Sequence, residues 1–214
     1  MNSRILFLVI PALVVSACGL LPAAKSESSE MEPATPHANT VPQDSPQPTR
    51  PPTSTPGKLA SRYPDMGAAP ELENTVWINT DHPLRIKELR GQVVLLEMWT
   101  FDCINCQHVI PSLKGWYQKY ASQGLVIIGN HFPEFDFERD LSNLKDAVKQ
   151  DGISYPVTQD NDGKTWSAYH NIYWPTAYLI DKRGHIRYTH IGEGSYADTE
   201  AAIQALLAEP VPAQ

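Results

Sequence analysis

VVLLEMWTFDCINCQHVIPSLKGWYQKY, residues Val93 to Tyr120, opens with an apolar run of strand length that stops at Trp99. After Cys103-Ile104-Asn105-Cys106, the apolar residues Val109, Leu113, Trp116 and Tyr120 recur at spacings of three to four, as one helix face does. The two cysteines therefore stand where a buried strand hands over to a helix. A helix start offers unpaired N–H groups and the positive end of the dipole, and both stabilise an anion. A thiolate at Cys103, at or near the N-cap, would be favoured there, and Cys106, one turn further in and more covered, could attack a mixed disulfide formed at Cys103. This reading makes Cys103 the nucleophile and Cys106 the resolving thiol.

A stabilising disulfide and half of a zinc site are the competing readings. A ring of four residues restrains little of the unfolded chain, so it makes a poor staple. Zinc needs further ligands, usually a second Cys pair or a His pair at helical spacing. The chain has three cysteines, and the third, Cys18, lies far upstream in an export leader. The spacing on a strand-to-helix junction favours redox chemistry.

Glu97-Met98-Trp99-Thr100-Phe101-Asp102-Cys103-Ile104-Asn105-Cys106 resembles the active-site segment of thioredoxin-fold proteins, with an acid and a Trp six and four positions before the first Cys. The chain is similar in particular to the exported TlpA/ResA-like branch and, within it, to the C-terminal domain of DipZ proteins. The shared features are W-T-x-x-C-I-N-C, Pro133-Glu134-Phe135, an N-D-x-x-T-W-x-A-Y segment from Asn161 to Tyr169, and Tyr173-Trp174-Pro175. The resemblance runs from about Leu72 to Leu207. It implies an α/β, thioredoxin-like fold: a central mixed β-sheet flanked by helices, with an added N-terminal β-hairpin, over residues 71–214. The hairpin is expected from Val76-Trp77-Ile78 and Leu84-Arg85-Ile86, joined by the turn at Asp81-His82-Pro83.

Along the central strand, alternation puts Val93, Leu95, Glu97 and Trp99 on one face and Val94, Leu96 and Met98 on the other. Both faces are apolar, which implies helices on both sides and makes Glu97 a carboxylate in an apolar setting. Such an acid should have a raised pKa and could take the proton that Cys106 must lose. By resemblance, Glu97 occupies the place of thioredoxin's buried acid; pairing with Lys114 is the plainer alternative. Pro111 should kink the helix. His108 reads as a solvated side chain.

Leu125 to Asn130 is the next buried strand, and the loop His131-Phe132-Pro133-Glu134-Phe135 should converge on the cysteines, as loops at strand carboxyl ends do. The resemblance makes Glu134 a candidate second acid, against a plain helix N-terminal acid. A helix is expected from Phe137 to Gln150 and a strand from Ile153 to Val157. Asp160-Asn161-Asp162-Gly163 opens like a calcium loop, but Asn171 stands where a bidentate Glu is needed, so it reads as a turn. Trp166 and Tyr169 fit a short packed helix. A hairpin follows from Ala177 to Ile191 through Asp181-Lys182-Arg183-Gly184, and Thr199 to Leu207 reads as an amphipathic helix. The resemblance implies that Pro175 is cis and faces the cysteines, with Trp99, Trp174, Pro175, Thr176 and Glu134 about the substrate groove.

Upstream, residues 1–17 carry one early Arg4, an apolar core from Ile5 to Val15 and small residues before Cys18, the layout of an export signal. Val15-Ser16-Ala17-Cys18 resembles a bacterial lipobox, so Cys18 is the expected lipidation site. The apolar core, about 11 residues, is short of the ~20 that a spanning helix requires. After Cys18, from Ala23 to about Pro70, the chain is rich in Pro, Ser, Thr, Ala and Glu, with almost no large apolar residues, and residues 18–70 read as the lipidated Cys and a disordered tether. Fully stretched, about 45 such residues would reach about 140 Å.

These readings point to an extracytoplasmic thiol:disulfide oxidoreductase, lipid-anchored to a bacterial membrane and monomeric. Its substrates are disulfide-containing proteins. No nicotinamide or flavin signature is present and no cofactor or metal is expected, so electrons come from another protein; the resemblance implies a DsbD/CcdA-like membrane donor. The net charge of −7 argues against nucleic acid. Ile104-Asn105 leaves a disulfide oxidase or isomerase open. A copper chaperone is the further alternative, and so is a thiol peroxidase, which Thr100-x-x-Cys103 suggests and Leu96, standing at that motif's proline position, disfavours.

Overall fold

The computed structural model describes residues 62–212. The signal segment, Cys18 and the linker up to residue 61 lie outside the described residues. Six strands form one sheet in the order β1-β4-β3-β2-β5-β6: β1 Val76–Ile78, β2 Val93–Trp99, β3 Leu125–His131, β4 Val157–Gln159, β5 Thr176–Ile180 and β6 Ile186–Ile191. β2, β3 and β4 run parallel to one another, β5 and β6 are antiparallel additions, and β1 pairs antiparallel with β4. The sheet is mixed, and β2, the strand that leads to the cysteines, lies between β3 and β5.

All seven residues of β2 are buried, because both sheet faces are covered. On one face Val93, Leu95 and Trp99 pack with α1 (Ile104–Tyr120), with Leu144 and Val148 of α2 (Leu141–Gln150), and with Ala202, Ile203 and Leu206 of α4 (Tyr196–Leu207). On the other, Val94, Leu96 and Met98 meet Leu72, Ile86, Leu89 and Tyr169, the residue that ends the short α3 (Lys164–Ala168). A cation and two hydrogen bonds tie α1 to α4: Lys119 lies 2.7 Å from Glu200, Tyr120 donates to Glu200 and Gln204 donates to Tyr120.

The expected N-terminal hairpin is corrected. β1 is a single edge strand, and residues 86–89 form a 3-10 turn. Ile86 and Leu89 are buried at i, i+3, the period of a 3-10 turn and not of a strand, and the Glu71 carboxylate accepts the N–H groups of Ile86 and Lys87 at its start. Chain packing also begins before Glu71: Ala68 bridges His185, and Arg187 donates to Tyr63 O at 2.7 Å.

Two further elements shift. The strand expected at Ile153–Val157 starts only at Val157, because Pro156 has no N–H to give a ladder; its carbonyl accepts from Gly129 at 2.9 Å. The helix expected from Phe137 is a 3-10 turn, Asp136–Arg139, interrupted at Asp140, whose extended backbone and carboxylate cap α2 through Ser142 N at 2.7 Å.

Candidate active site

Cys103 is the N-cap of α1, with extended backbone (φ −82°, ψ 113°), and its Sγ accepts the Cys106 N–H at 3.3 Å. The spacing of the motif produces this contact: a cap atom reaches the N–H three residues on. Cys103 is half-buried, Cys106 is 2% exposed and packed among Trp99, Val109 and Ile110, and both thiols are free. Burial pushes the Cys106 thiol up, and the neighbouring Cys103 sulfur and the Glu97 charge push the same way. α1 runs from Ile104 to Tyr120 with Pro111 inside it.

Glu97 sits mid-strand in β2, opposite Gly129 of β3 and Ala177 of β5, and is 2% exposed. Its Oε2 has no hydrogen-bond partner, and burial raises its pKa to about 8. It is not paired with Lys114, whose ammonium donates to Asp151 O at 2.7 Å. A charge on Glu97 raises the cost of charging Cys106, so the two do not readily ionise together.

The Trp174–Pro175 peptide bond is cis. Trp174 is half-buried, donates its ring N–H to Phe132 O at 3.1 Å, stacks on Phe132 at 5.8 Å and lies tilted against Trp166 at 4.5 Å between centroids. Gly163, with φ +66°, leaves room for that cluster: a Cβ there would lie 3.0 Å from the Phe132 ring. Two of the residues expected at the groove are buried. Trp99 is 3% exposed, edge-on to His131 and over Gly129, and Thr176 is 1% exposed, its hydroxyl donating to Tyr173 O at 2.8 Å. Ile104, directly after Cys103, is exposed, as are Phe135 and Phe137 about the Glu138 turn and Ile172 and Tyr173 just before Trp174.

Glu134 is exposed and contributes only its backbone N–H to the network beside the cysteines, donating to Glu138 at 2.7 Å. Glu138 is the residue that sequence reasoning missed. Its side chain is fully buried and accepts from Thr100 Oγ1, from Asp102 N at 3.1 Å and from Phe135 N at 2.8 Å as well. Burial opposes its charge, but these bonds overcome that and hold the carboxylate below its ordinary range. The signal was Phe135-x-x-Glu138, in which the third residue of a turn reaches back to the N-cap N–H.

His131 ends β3 behind the site, stacked on Phe101 at 5.3 Å, and burial drops its pKa to about 4. His108 is exposed and paired with Glu193 at 2.7 Å. Asp160 accepts from Thr165 N and Trp166 N, so its loop caps α3 as a turn. Among the described residues, no group of three or more His, Cys, Asp or Glu side chains could hold a metal ion, and no helix is long and apolar enough to cross a membrane.

Residues 66–189, more than half of the chain, match the AhpC/TSA family. Protein DipZ of Mycobacterium tuberculosis is 44% identical over 156 residues, covering 72% of this chain and 22% of DipZ, so the chain spans about a fifth of that relative's length. The thiol-disulfide oxidoreductase YkuV of Bacillus subtilis is 27% identical, covering 65% of this chain and 94% of YkuV. Among solved structures, the thioredoxin-like superfamily protein SPOA0173 superposes with a TM-score of 0.65 at 30% identity, covering 68% of this chain and 99% of that one. With a cis-proline loop, a Cys-x-x-Cys at a helix start and a mixed sheet between helical layers, the chain belongs to the AhpC/TSA family and has the thioredoxin-like build of the thiol:disulfide oxidoreductases it resembles.

Proposed function

We propose that this protein is an extracytoplasmic thiol:disulfide oxidoreductase, lipid-anchored through Cys18, that reduces disulfides in other proteins. The observation that carries the reading is the asymmetry of the pair: Cys103 is partly open at the helix start, and Cys106 is buried and feels the charge of Glu97, whose Oε2 has no hydrogen-bond partner. A Cys103 thiolate attacks one sulfur of the substrate disulfide; the new Cys103–substrate bond forms as the substrate bond breaks, and the first substrate thiolate leaves. Cys106 then gives its proton to Glu97 and attacks the Cys103 sulfur, releasing the second substrate thiolate. Two electrons have passed to the substrate, and the enzyme holds a Cys103–Cys106 disulfide.

A DsbD/CcdA-like membrane donor would return those electrons, consistent with the leader and tether read from the sequence. The segment around Trp174 and Pro175 would hold the substrate backbone, and the exposed Ile172 and Tyr173 just before it offer apolar surface for the substrate. A peroxidase reading is disfavoured by two features: Leu96 is buried within β2, and the Thr100 hydroxyl is committed to Glu138.

The test is a trap. A Cys106→Ala variant mixed with a disulfide-bonded protein should accumulate a mixed disulfide at Cys103, mapped by mass spectrometry. No adduct, or an adduct confined to Cys106 in a Cys103→Ala variant, would contradict the assignment. Labelling cells with palmitate should mark the wild-type chain and leave Cys18→Ala unmarked.

A further inference from the structure

The exchange steps above make no use of Glu138, yet both of its carboxylate oxygens are spoken for. Oε1 accepts from the Thr100 hydroxyl and Asp102 N, and Oε2 from Glu134 N and Phe135 N. These donors come from two separate segments. Thr100 to Asp102 is the irregular link that carries the chain from β2 to Cys103, and Glu134-Phe135 belongs to the loop after β3. All four donors are neutral, so converging dipoles meet the charge, an arrangement whose value depends on each donor staying in place.

The Thr100 oxygen, having donated its proton to Glu138, is left to accept, and it lies 3.2 Å from His131 Nε2. A neutral His131 therefore carries its proton on Nε2, and its ring is held between those of Trp99 and Phe101. The link is thus fixed through a side chain (Thr100), a ring (Phe101) and a backbone N–H (Asp102), and Asp102 immediately precedes the nucleophile. The N-cap contact from Cys103 Sγ to Cys106 N requires the link to sit where it does.

We propose that Glu138 is a positioning residue for the nucleophile: its buried carboxylate clamps the Thr100–Asp102 link onto the Glu134–Phe135 loop and so fixes Cys103 at the helix start. The inference rests on Cys103 being the attacking sulfur. Glu138 touches no reacting atom and acts through the backbone that delivers one. Small displacements of a reacting group lower rates steeply, and Phe137 on the same turn packs edge-on against Phe101 of the link, 5.8 Å between ring centroids.

The experiment measures the second-order rate at which the reduced protein attacks a small aromatic disulfide, with the modified cysteine identified by mass spectrometry and Tm recorded alongside. Glu138→Gln keeps the volume but turns an amide NH2 toward groups that are themselves donors. It should lower the Cys103 rate about tenfold, the scale of one lost charge-assisted hydrogen bond. Thr100→Val should lower the rate and Thr100→Ser, which keeps the hydroxyl, should restore it; this pair decides the matter if Glu138→Gln fails to fold. A folded Glu138→Gln with reduced Tm and an unchanged rate, or equal rates for the Val and Ser variants, overturns the proposal by making the clamp purely structural. Wild-type protein that reacts first at Cys106 would instead overturn the assignment of the nucleophile, so the two failures are distinguishable.

Discussion

Two buried glutamates flank the cysteine pair, and their surroundings drive them in opposite directions. Glu97, in the middle of β2, has an oxygen without a hydrogen-bond partner, and burial raises its pKa to about 8. Glu138, on the turn after β3, is likewise shut off from solvent but gathers four donors and stays below the ordinary carboxylate range. Burial alone therefore does not set the state of a carboxyl group; the donors that the backbone can turn toward it do. A strand interior spends its N–H groups on the ladder, whereas an irregular turn has free N–H groups to aim. The former arrangement favours the neutral acid, the latter a carboxylate bonded to two segments at once.

The largest expected effect follows from Glu97. Its folded pKa lies above its unfolded value, so its contribution to stability is fully present below the unfolded value and is lost as pH rises through the folded one. Between pH 4.5 and about 8 that loss amounts to at most about 5 kcal/mol. Denaturant melts of Glu97→Gln should accordingly show a gain over wild type that grows across this window. The same variant should lose about a hundredfold in disulfide reduction and lose the rise of the rate toward pH 8. A variant no more stable at pH 9 than at pH 5, relative to wild type, would deny that Glu97 is a desolvated acid.

Glu138 should behave in the opposite sense. Glu138→Ala leaves buried donors without acceptors, and chemical unfolding at pH 7 should show a loss of about 3 kcal/mol. Its contribution is present above the unfolded pKa and disappears as pH falls through the lowered folded value, so wild type and variant should converge in acid.

Gly129→Ala sharpens the comparison from the side of packing. An added Cβ would stand 2.8 Å from Trp99 Nε1 and 3.4 Å from Val157, and the crowding should cost about 1–3 kcal/mol in a thermal melt. The smallest effect is expected at the surface: His108 and Glu193 are about half-exposed, and Glu193→Gln should change stability by less than about 1 kcal/mol.

Much of this was legible in the sequence, because the central features are set by local pattern. A seven-residue apolar run with one acid at an alternating position identifies both β2 and the buried Glu97. The Cys-x-x-Cys spacing places Cys103 at the cap, and the Asp181-to-Gly184 turn joins β5 to β6, with Gly184 N donating to Asp181 O at 2.8 Å. What escaped depends on long-range contacts. Ile86 and Leu89 take up a 3-10 turn because Glu71 caps it across a gap of 15 residues. Glu138 looks like an ordinary helix residue until the β2 link folds over it; the acid expected in its loop was Glu134, which stays on the surface. Trp99 looks like a groove wall only while Gly129, which makes room for it inside, is unseen.

Reduction by the proposed route requires Cys103 and Cys106 to form a reversible couple of low potential. Equilibrating residues 62–214 with glutathione or dithiothreitol buffers and counting free thiols measures its potential directly. The expected value is near or below about −230 mV, in the range of thioredoxins and glutaredoxins. A value near about −120 mV would make the protein a disulfide donor and contradict the direction of electron flow assigned to it.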